Sequence, residues 1–222
     1  MIKPEQNKPI KSFVKRKRKL SPGKQDLFTA MWPIYGAQNP FTNNAPLAAE
    51  IGFGMGNTLF NYAKKYPEIN FIGIEVYQPG IITLFRQLET KPLDNIRVYN
   101  IDAVDVLKQA ILDKALEKVL IFFPDPWQKK RYHKRRLIQP EFVQLLQKKL
   151  KPGGLLHIAT DWQNYAEHIA AIMQNNPNFI VIDPQSSEYA NLRQDRVLTK
   201  FEERGQNQGH DIYDLLFKVK NV

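Results

Sequence analysis

Short apolar runs along the chain each deliver an acidic side chain at the same point: Glu50, Glu75, Asp102, Asp125 and Asp161. Carboxylates placed this way either cap the helix that follows each run, or line one edge and hold a ligand that brings hydrogen-bond donors or positive charge. Glu50-Ile51-Gly52-Phe53-Gly54-Met55-Gly56-Asn57 is a glycine-rich turn, and Gly52 and Gly54 let a ligand come close to the main chain. Its spacing is not the dinucleotide fingerprint, which needs a third glycine where Asn57 stands, and no Lys followed by Ser or Thr marks a phosphate loop. Glu75 comes 23 residues after Gly52, where a carboxylate can accept from both hydroxyls of a ribose. Asp102 is placed for the adenine side of the same ligand. Three acids in register after three successive runs disfavour capping alone. Glu50 beside the glycines repels a phosphate. An adenosine carrying a positive centre suits the set, and S-adenosylmethionine is such a molecule.

The elements that must position these groups follow from the hydrophobic pattern. Leu47–Ile51, Phe71–Glu75, Ile96–Asn100, Lys118–Phe123 and Leu155–Thr160 read as strands. They are followed by helical stretches at Asn57–Tyr66, Gly80–Glu89, Ala103–Asp113, Pro140–Leu150 and Tyr165–Asn175. Five strand–helix units in succession predict an α/β, doubly wound, mostly parallel sheet with helices on both faces. Ile212–Val219 adds a last strand, expected to be antiparallel, and Pro152-Gly153-Gly154 reads as a turn. Ligands of such folds bind beyond the carboxyl ends of the strands, where the acids fall.

The 222 residues suit one domain with an appendage. Residues 1–24 hold nine Lys or Arg against Glu5 and read as a flexible basic arm, leaving 25–222 as a single domain. Net charge is +10, and the arm carries +8 of it. Most of the remaining basicity is one unopposed run, Lys129, Lys130, Arg131, Lys134, Arg135 and Arg136. A tail and a single stripe form an electrostatic footprint for a polyanion, although either is also compatible with a solvated surface. The absence of cysteine excludes disulfides, thiolate metal sites and a cysteine nucleophile. The four histidines lack ligand spacing, so no metal is expected, and His157 in its apolar strand reads as structural. No apolar run approaches the roughly 20 residues that cross a bilayer, and no apolar stretch follows the N-terminal charges as in a secretory signal. The expectation is a cytoplasmic protein without a membrane partner. No obligate protein partner is evident, and monomer and homodimer both stay open.

The most specific stretch is Phe122-Phe123-Pro124-Asp125-Pro126-Trp127 with the basic run behind it. Together with the glycine turn, Gly73-Ile74-Glu75-Val76, Ala159-Thr160-Asp161, Thr199-Lys200-Phe201-Glu202, Arg204-Gly205 and Gly209-His210, it resembles the bacterial single-chain tRNA (guanine-N7)-methyltransferase family over most of residues 45–220. The resemblance implies that Glu50, Glu75, Asp102 and Asp125 contact S-adenosylmethionine and that Asp125 is the catalytic residue. It further implies that Lys129, Asp161, Thr199, Lys200, Phe201 and Glu202 bind the substrate, tRNA, with 7-methylguanosine at variable-loop position 46 as product. Tyr77 and Tyr132 stand where the family often has histidine, so no imidazole role carries over there.

N7 of guanine has an in-plane lone pair and no proton at neutral pH, so its attack on a sulfonium methyl needs no general base. Asp125, held between two prolines, is therefore expected to orient guanine through N1–H and the N2 amine. Trp127 either stacks on a base or anchors the loop to the core. Lys129 and Arg131 are expected on phosphates, and Arg135 and Arg136 either there or facing water. Competing readings are methylation of another RNA or of an exocyclic base amine, a nucleotide-dependent oxidoreductase, and a non-catalytic RNA-binding relative. The Pro-Asp-Pro-Trp order, the glycine spacing with Glu50, and the complete set of strand-end acids argue against the last three in turn.

Overall fold

The alternation of apolar runs and helical stretches builds a single seven-stranded sheet. In the computed structural model, which describes residues 10–14, 19–194 and 211–221, five strands come first: β1 (Leu47–Ile51), β2 (Asn70–Ile74), β3 (Ile96–Tyr99), β4 (Leu116–Phe122) and β5 (Leu150–Thr160). They alternate with α2 (Asn57–Lys65), α3 (Gln78–Thr90), α4 (Ala103–Gln109), α5 (Pro140–Lys149) and α6 (Gln163–Gln174). A helix α1 (Pro22–Tyr35) precedes them, and β6 (Phe179–Val181), α7 (Ser187–Gln194) and β7 (Tyr213–Val219) follow. The strand order is β3-β2-β1-β4-β5-β7-β6. The first five strands pair in parallel, and β7 runs antiparallel to both β5 and β6.

Alternate residues of the strands feed two cores. Ala49, Ile51, Ile72, Ile74, Val119 and Ile121 face Val106 of α4, Phe142 of α5 and Tyr165 of α6. Ala48, Phe71, Leu120 and Phe122 face the other way, toward Tyr35 of α1, Leu59 of α2 and Phe85 of α3. All five residues of β2 are buried, as a strand covered on both faces must be. The chain steps from β1 outward through β2 and β3, then returns to lay β4 on the other side of β1. That reversal leaves a crevice at the carboxyl ends of β1 and β4.

Four features depart from the sequence reading. Helix α1 begins at Pro22, inside the last residues of the arm. It is held by an aromatic cluster, in which Phe28 stacks on Trp32 at 4.9 Å and both rings face Phe85, rather than by aliphatic periodicity. Strand β6 and helix α7 are too short to show a pattern. The Pro152-Gly153-Gly154 turn lies inside β5, where Gly153 takes φ +74° and the register against β4 slips between Leu116 and Lys118. The basic run forms a short 3-10 helix, Lys130–Arg135.

Candidate active site

A cavity of 610 Å³ opens at the carboxyl ends of the parallel strands, with Gly52, Glu75, Asp102, Pro124 and Asp125 in its wall. Backbone conformation favours glycine at 52. Its φ of +73° suits glycine, and a Cβ there would project into open space at the cavity wall. Gly54 takes φ +56°, and its N–H donates to Glu75 Oε2 at 2.9 Å, while the N–H of Tyr77 donates to Oε1 at 2.8 Å. Glu75 thus holds the glycine turn and its own loop together, and each oxygen keeps a lone pair for a further donor. Burial raises its pKa, and the backbone N–H groups of Tyr77, Gly54 and Val76 work against that rise.

Glu50 sits behind the turn at 3% exposure, on the sheet face that carries α2 and α3. Burial, with the charge of Glu75 adding to it, pushes its carboxyl up to about 8. At neutral pH the group therefore carries its proton until a cation arrives. Its Oε2 is buried with no hydrogen-bond partner among the described residues. An acceptor left this way in a protein interior costs about 1–3 kcal/mol. Glu50 itself does not line the cavity, whose wall at this strand end is Ile51 and Gly52, and a carboxyl kept neutral by burial recovers its charge beside a positive centre. These residues fit S-adenosylmethionine: an open glycine wall, a carboxylate with free lone pairs, and a buried acid awaiting a positive partner.

Asp102 does both jobs that its position allows. Its Oδ1 caps α4 by accepting from Val104 N at 3.0 Å, and its Oδ2 lies on the cavity side, 3.2 Å from Lys11 Nζ. Lys11 belongs to a segment of the arm that the sequence does not place. Ser12, Phe13 and Val14 form part of the cavity wall. The segment is gripped by its own carbonyls: Trp127 Nε1 donates to Ser12 O at 3.1 Å, and Arg135 donates to Lys11 O at 3.2 Å and Phe13 O at 3.4 Å. The Arg135 guanidinium also lies 4.4 Å over the Trp127 ring. Trp127 anchors its loop, then, but to the arm instead of the core, and Arg135 is spent within the protein.

Asp125 is exposed on the rim, and its charge reaches Tyr165, whose hydroxyl is pushed up to about 12, mainly by burial. Its loop is bracketed by two non-glycine residues in the left-handed region, Phe123 at φ +51° and Trp127 at φ +46°. Each costs on the order of 1–3 kcal/mol and persists only where surrounding groups hold it. Phe123 N is held by Ala159 O at 2.8 Å. On the far side stands Arg136, which the sequence leaves between phosphate and water. The structure places it in neither: it is 2% exposed.

Lys129, Lys130, Arg131 and Lys134 remain exposed. Asp161 is not in the cavity. It lines a separate depression of 590 Å³ with Trp162, Asn164, Glu167 and Asp211. Thr199, Lys200, Phe201 and Glu202 lie outside the described residues. His157 pairs with Asp214 at 2.8 Å between β5 and β7. Among the described residues no three His, Cys, Asp or Glu side chains are placed to hold a metal ion, and no helix is long and apolar enough to cross a membrane.

Known proteins can now be set beside this geometry. Residues 44–215 match the model of a putative methyltransferase family. The tRNA (guanine-N(7)-)-methyltransferase of Marinobacter nauticus is 45% identical over 221 residues, covering 96% of this chain and 92% of its own length. That of Nitrosococcus oceani is 46% identical over 224 residues, with shares of 96% and 92%. Among solved structures, the 16S rRNA methyltransferase KamB superposes with a TM-score of 0.53 at 13% identity, over 93% of this chain and 97% of that one. At that identity the likeness speaks for the fold alone.

Proposed function

The chain belongs to the tRNA (guanine-N7)-methyltransferase family, and from that premise we propose that its target is the guanosine at position 46 in the variable loop of tRNA, with 7-methylguanosine as product. The observation that carries the reading is the crevice itself. A buried acid with an unpartnered oxygen stands behind an open glycine wall, and an exposed carboxylate stands on the opposite rim.

When bound, S-adenosylmethionine supplies an electrophilic methyl group on a cationic sulfur. Glu50, Gly52, Gly54, Glu75 and Asp102 would hold it: the glycines by leaving room, Glu75 at the ribose hydroxyls, Asp102 at the adenine, and Glu50 by countering the positive charge. Asp125 would accept from N1–H and the N2 amine of guanine, presenting N7 in line. No proton has to leave N7, and charge passes from sulfur to purine without being created, so the protein's work is alignment and exclusion of water. Orientation of this kind contributes up to roughly 7–11 kcal/mol. As the purine turns cationic, the Asp125 carboxylate stabilises it.

Lys129 and Arg131 would contact phosphates, Asp161 would receive the substrate in its separate depression, and Thr199, Lys200, Phe201 and Glu202 would complete substrate binding. Extracting a base from its stack costs a few kcal/mol, which the exposed cations and the arm offset through phosphate binding. The deciding experiment is incubation with labelled S-adenosylmethionine and unmodified tRNA, followed by nucleoside analysis. Label in 7-methylguanosine, lost in a transcript lacking guanosine at position 46, is the expected result. Label in another nucleoside rejects the reading.

A further inference from the structure

Arg136 is a buried cation that the chemistry above does not use. Its Nε donates to Pro126 O at 2.9 Å, and its Nη2 donates to Asn164 Oδ1 at 2.7 Å. Nη1 reaches Asn164 O at 3.4 Å, and Nη2 lies 3.1 Å from His133 Nε2. A guanidinium can only donate, and the same His133 nitrogen also lies 3.4 Å from Gln128 O. The plane lies 4.8 Å over the Tyr165 ring, and burial lowers the pKa. All three nitrogens are engaged and the residue is 2% exposed, so the guanidinium is turned into the protein rather than toward an RNA phosphate.

What the guanidinium joins is informative. Pro126 directly follows Asp125 on the loop beyond β4, and Asn164 lies in the first turn of α6, three residues beyond Asp161, which follows the last residue of β5. Neither Pro124 nor Pro126 has an N–H with which to tie the loop down. We infer that Arg136 is a positioning residue for methyl transfer: its planar fork clamps the Pro126 carbonyl to Asn164 and so sets the Asp125 loop against the Asp161 loop. The assignment rests on the reading that Asp125 orients the guanine. Lysine cannot replace it, because an ammonium is a point donor on a flexible stem while the fork fixes two acceptors at a set angle.

The test uses full-length wild type, Arg136→Lys, Asn164→Ala, Asn164→Asp and the double variant Arg136→Lys/Asn164→Ala. For each, kcat, the tRNA KM, the S-adenosylmethionine Kd by calorimetry and the melting midpoint are measured. A displaced reacting group costs up to about 100-fold, so Arg136→Lys should lower kcat by about 30-fold or more. Its Kd and KM should stay within about threefold of wild type. Asn164→Ala should lower kcat by about three- to tenfold in the same pattern, and Asn164→Asp, which restores an acceptor, should recover most of it. The double variant should lose little more than Arg136→Lys, since both cut one bridge.

A folded Arg136→Lys with wild-type kcat overturns the proposal. So does a loss confined to the tRNA KM, which would make Arg136 an RNA contact, or a loss matching only the unfolded fraction. If Arg136→Lys does not fold, Asn164→Ala decides alone, and wild-type turnover there overturns the proposal. A wild-type protein that leaves tRNA unmethylated refutes the functional reading instead.

Discussion

The two walls of the crevice are built by opposite means. On the β1–β2 side, acids are held by main-chain donors of the loops at the strand ends: Glu75 takes the N–H groups of Gly54 and Tyr77, and Asp102 takes that of Val104. On the β4 side, carbonyls are held by cations and an indole reaching across the fold. Arg136 grips Pro126 and Asn164, while Trp127 and Arg135 grip residues 11–13 from more than 100 positions away. The first wall can form as soon as its strands pair, while the second exists only after arm, loop and α6 have met. A site for a small charged ligand can be assembled locally, whereas a site that must align a base in a large RNA is tied to several elements at once.

The contrast can be broken most forcefully at Asp125. If the β4 wall aligns rather than deprotonates, Asp125→Asn should lower kcat by roughly 100-fold or more while leaving S-adenosylmethionine affinity within about threefold. The residual rate should show no carboxylate titration, and near wild-type turnover would remove the orienting role.

Glu50 tests the other wall. Its Gln variant should bind S-adenosylmethionine about tenfold or more weakly, the scale of a lost hydrogen bond to a charged group. In wild type, the donor's positive charge should draw a proton from Glu50. Affinity then rises with pH from about 6 to about 8, the region of its raised pKa. Calorimetry in buffers of different ionisation enthalpy should register the released proton, and a buffer-independent heat would contradict it. The stability sign runs the other way. Burial lifts Glu50 from its ordinary 4.5 to about 8, so its contribution is full below about pH 4.5 and is lost as pH rises toward 8. The decline is on the order of 4 kcal/mol, and it should vanish from the melting profile of Glu50→Gln.

Exposed and buried members of the basic run should separate by salt. Lys129→Ala and Arg131→Ala should each flatten the dependence of log tRNA affinity on log salt by about 1. Arg136→Lys should leave that slope unchanged, and an equal change in all three would dissolve the distinction. The smallest effect belongs to Lys11, whose partly exposed pair with Asp102 occupies the oxygen that we propose for the adenine. Lys11→Met should tighten S-adenosylmethionine binding in the absence of tRNA by about two- to fivefold, and weaker binding would show that Lys11 helps hold the donor.

Much of this was readable in advance where function and periodicity coincide. The five strand–helix units and the acids after each strand follow from runs of apolar residues and the groups that end them. Arg135 and Arg136 were not separable, because two adjacent arginines in a basic run look alike until one is folded under the Pro126 carbonyl. Helix α1 escaped because its aromatic residues have no aliphatic rhythm and find Phe85 only in three dimensions. Asp161 could be placed at a strand end, yet whether a strand end opens into the shared cavity depends on its neighbours in the sheet.

By itself, then, the amino-acid order determined the five strand–helix units and the acids that end their strands, since apolar runs and helical patterns are written in consecutive residues. Only the tertiary structure decided that Glu50 is buried with an unanswered oxygen, that Ser12, Phe13 and Val14 wall the cavity, and that Arg136 is buried against the Pro126 carbonyl. Burial and long-range hydrogen bonds depend on which distant segments meet, and no local pattern encodes that meeting.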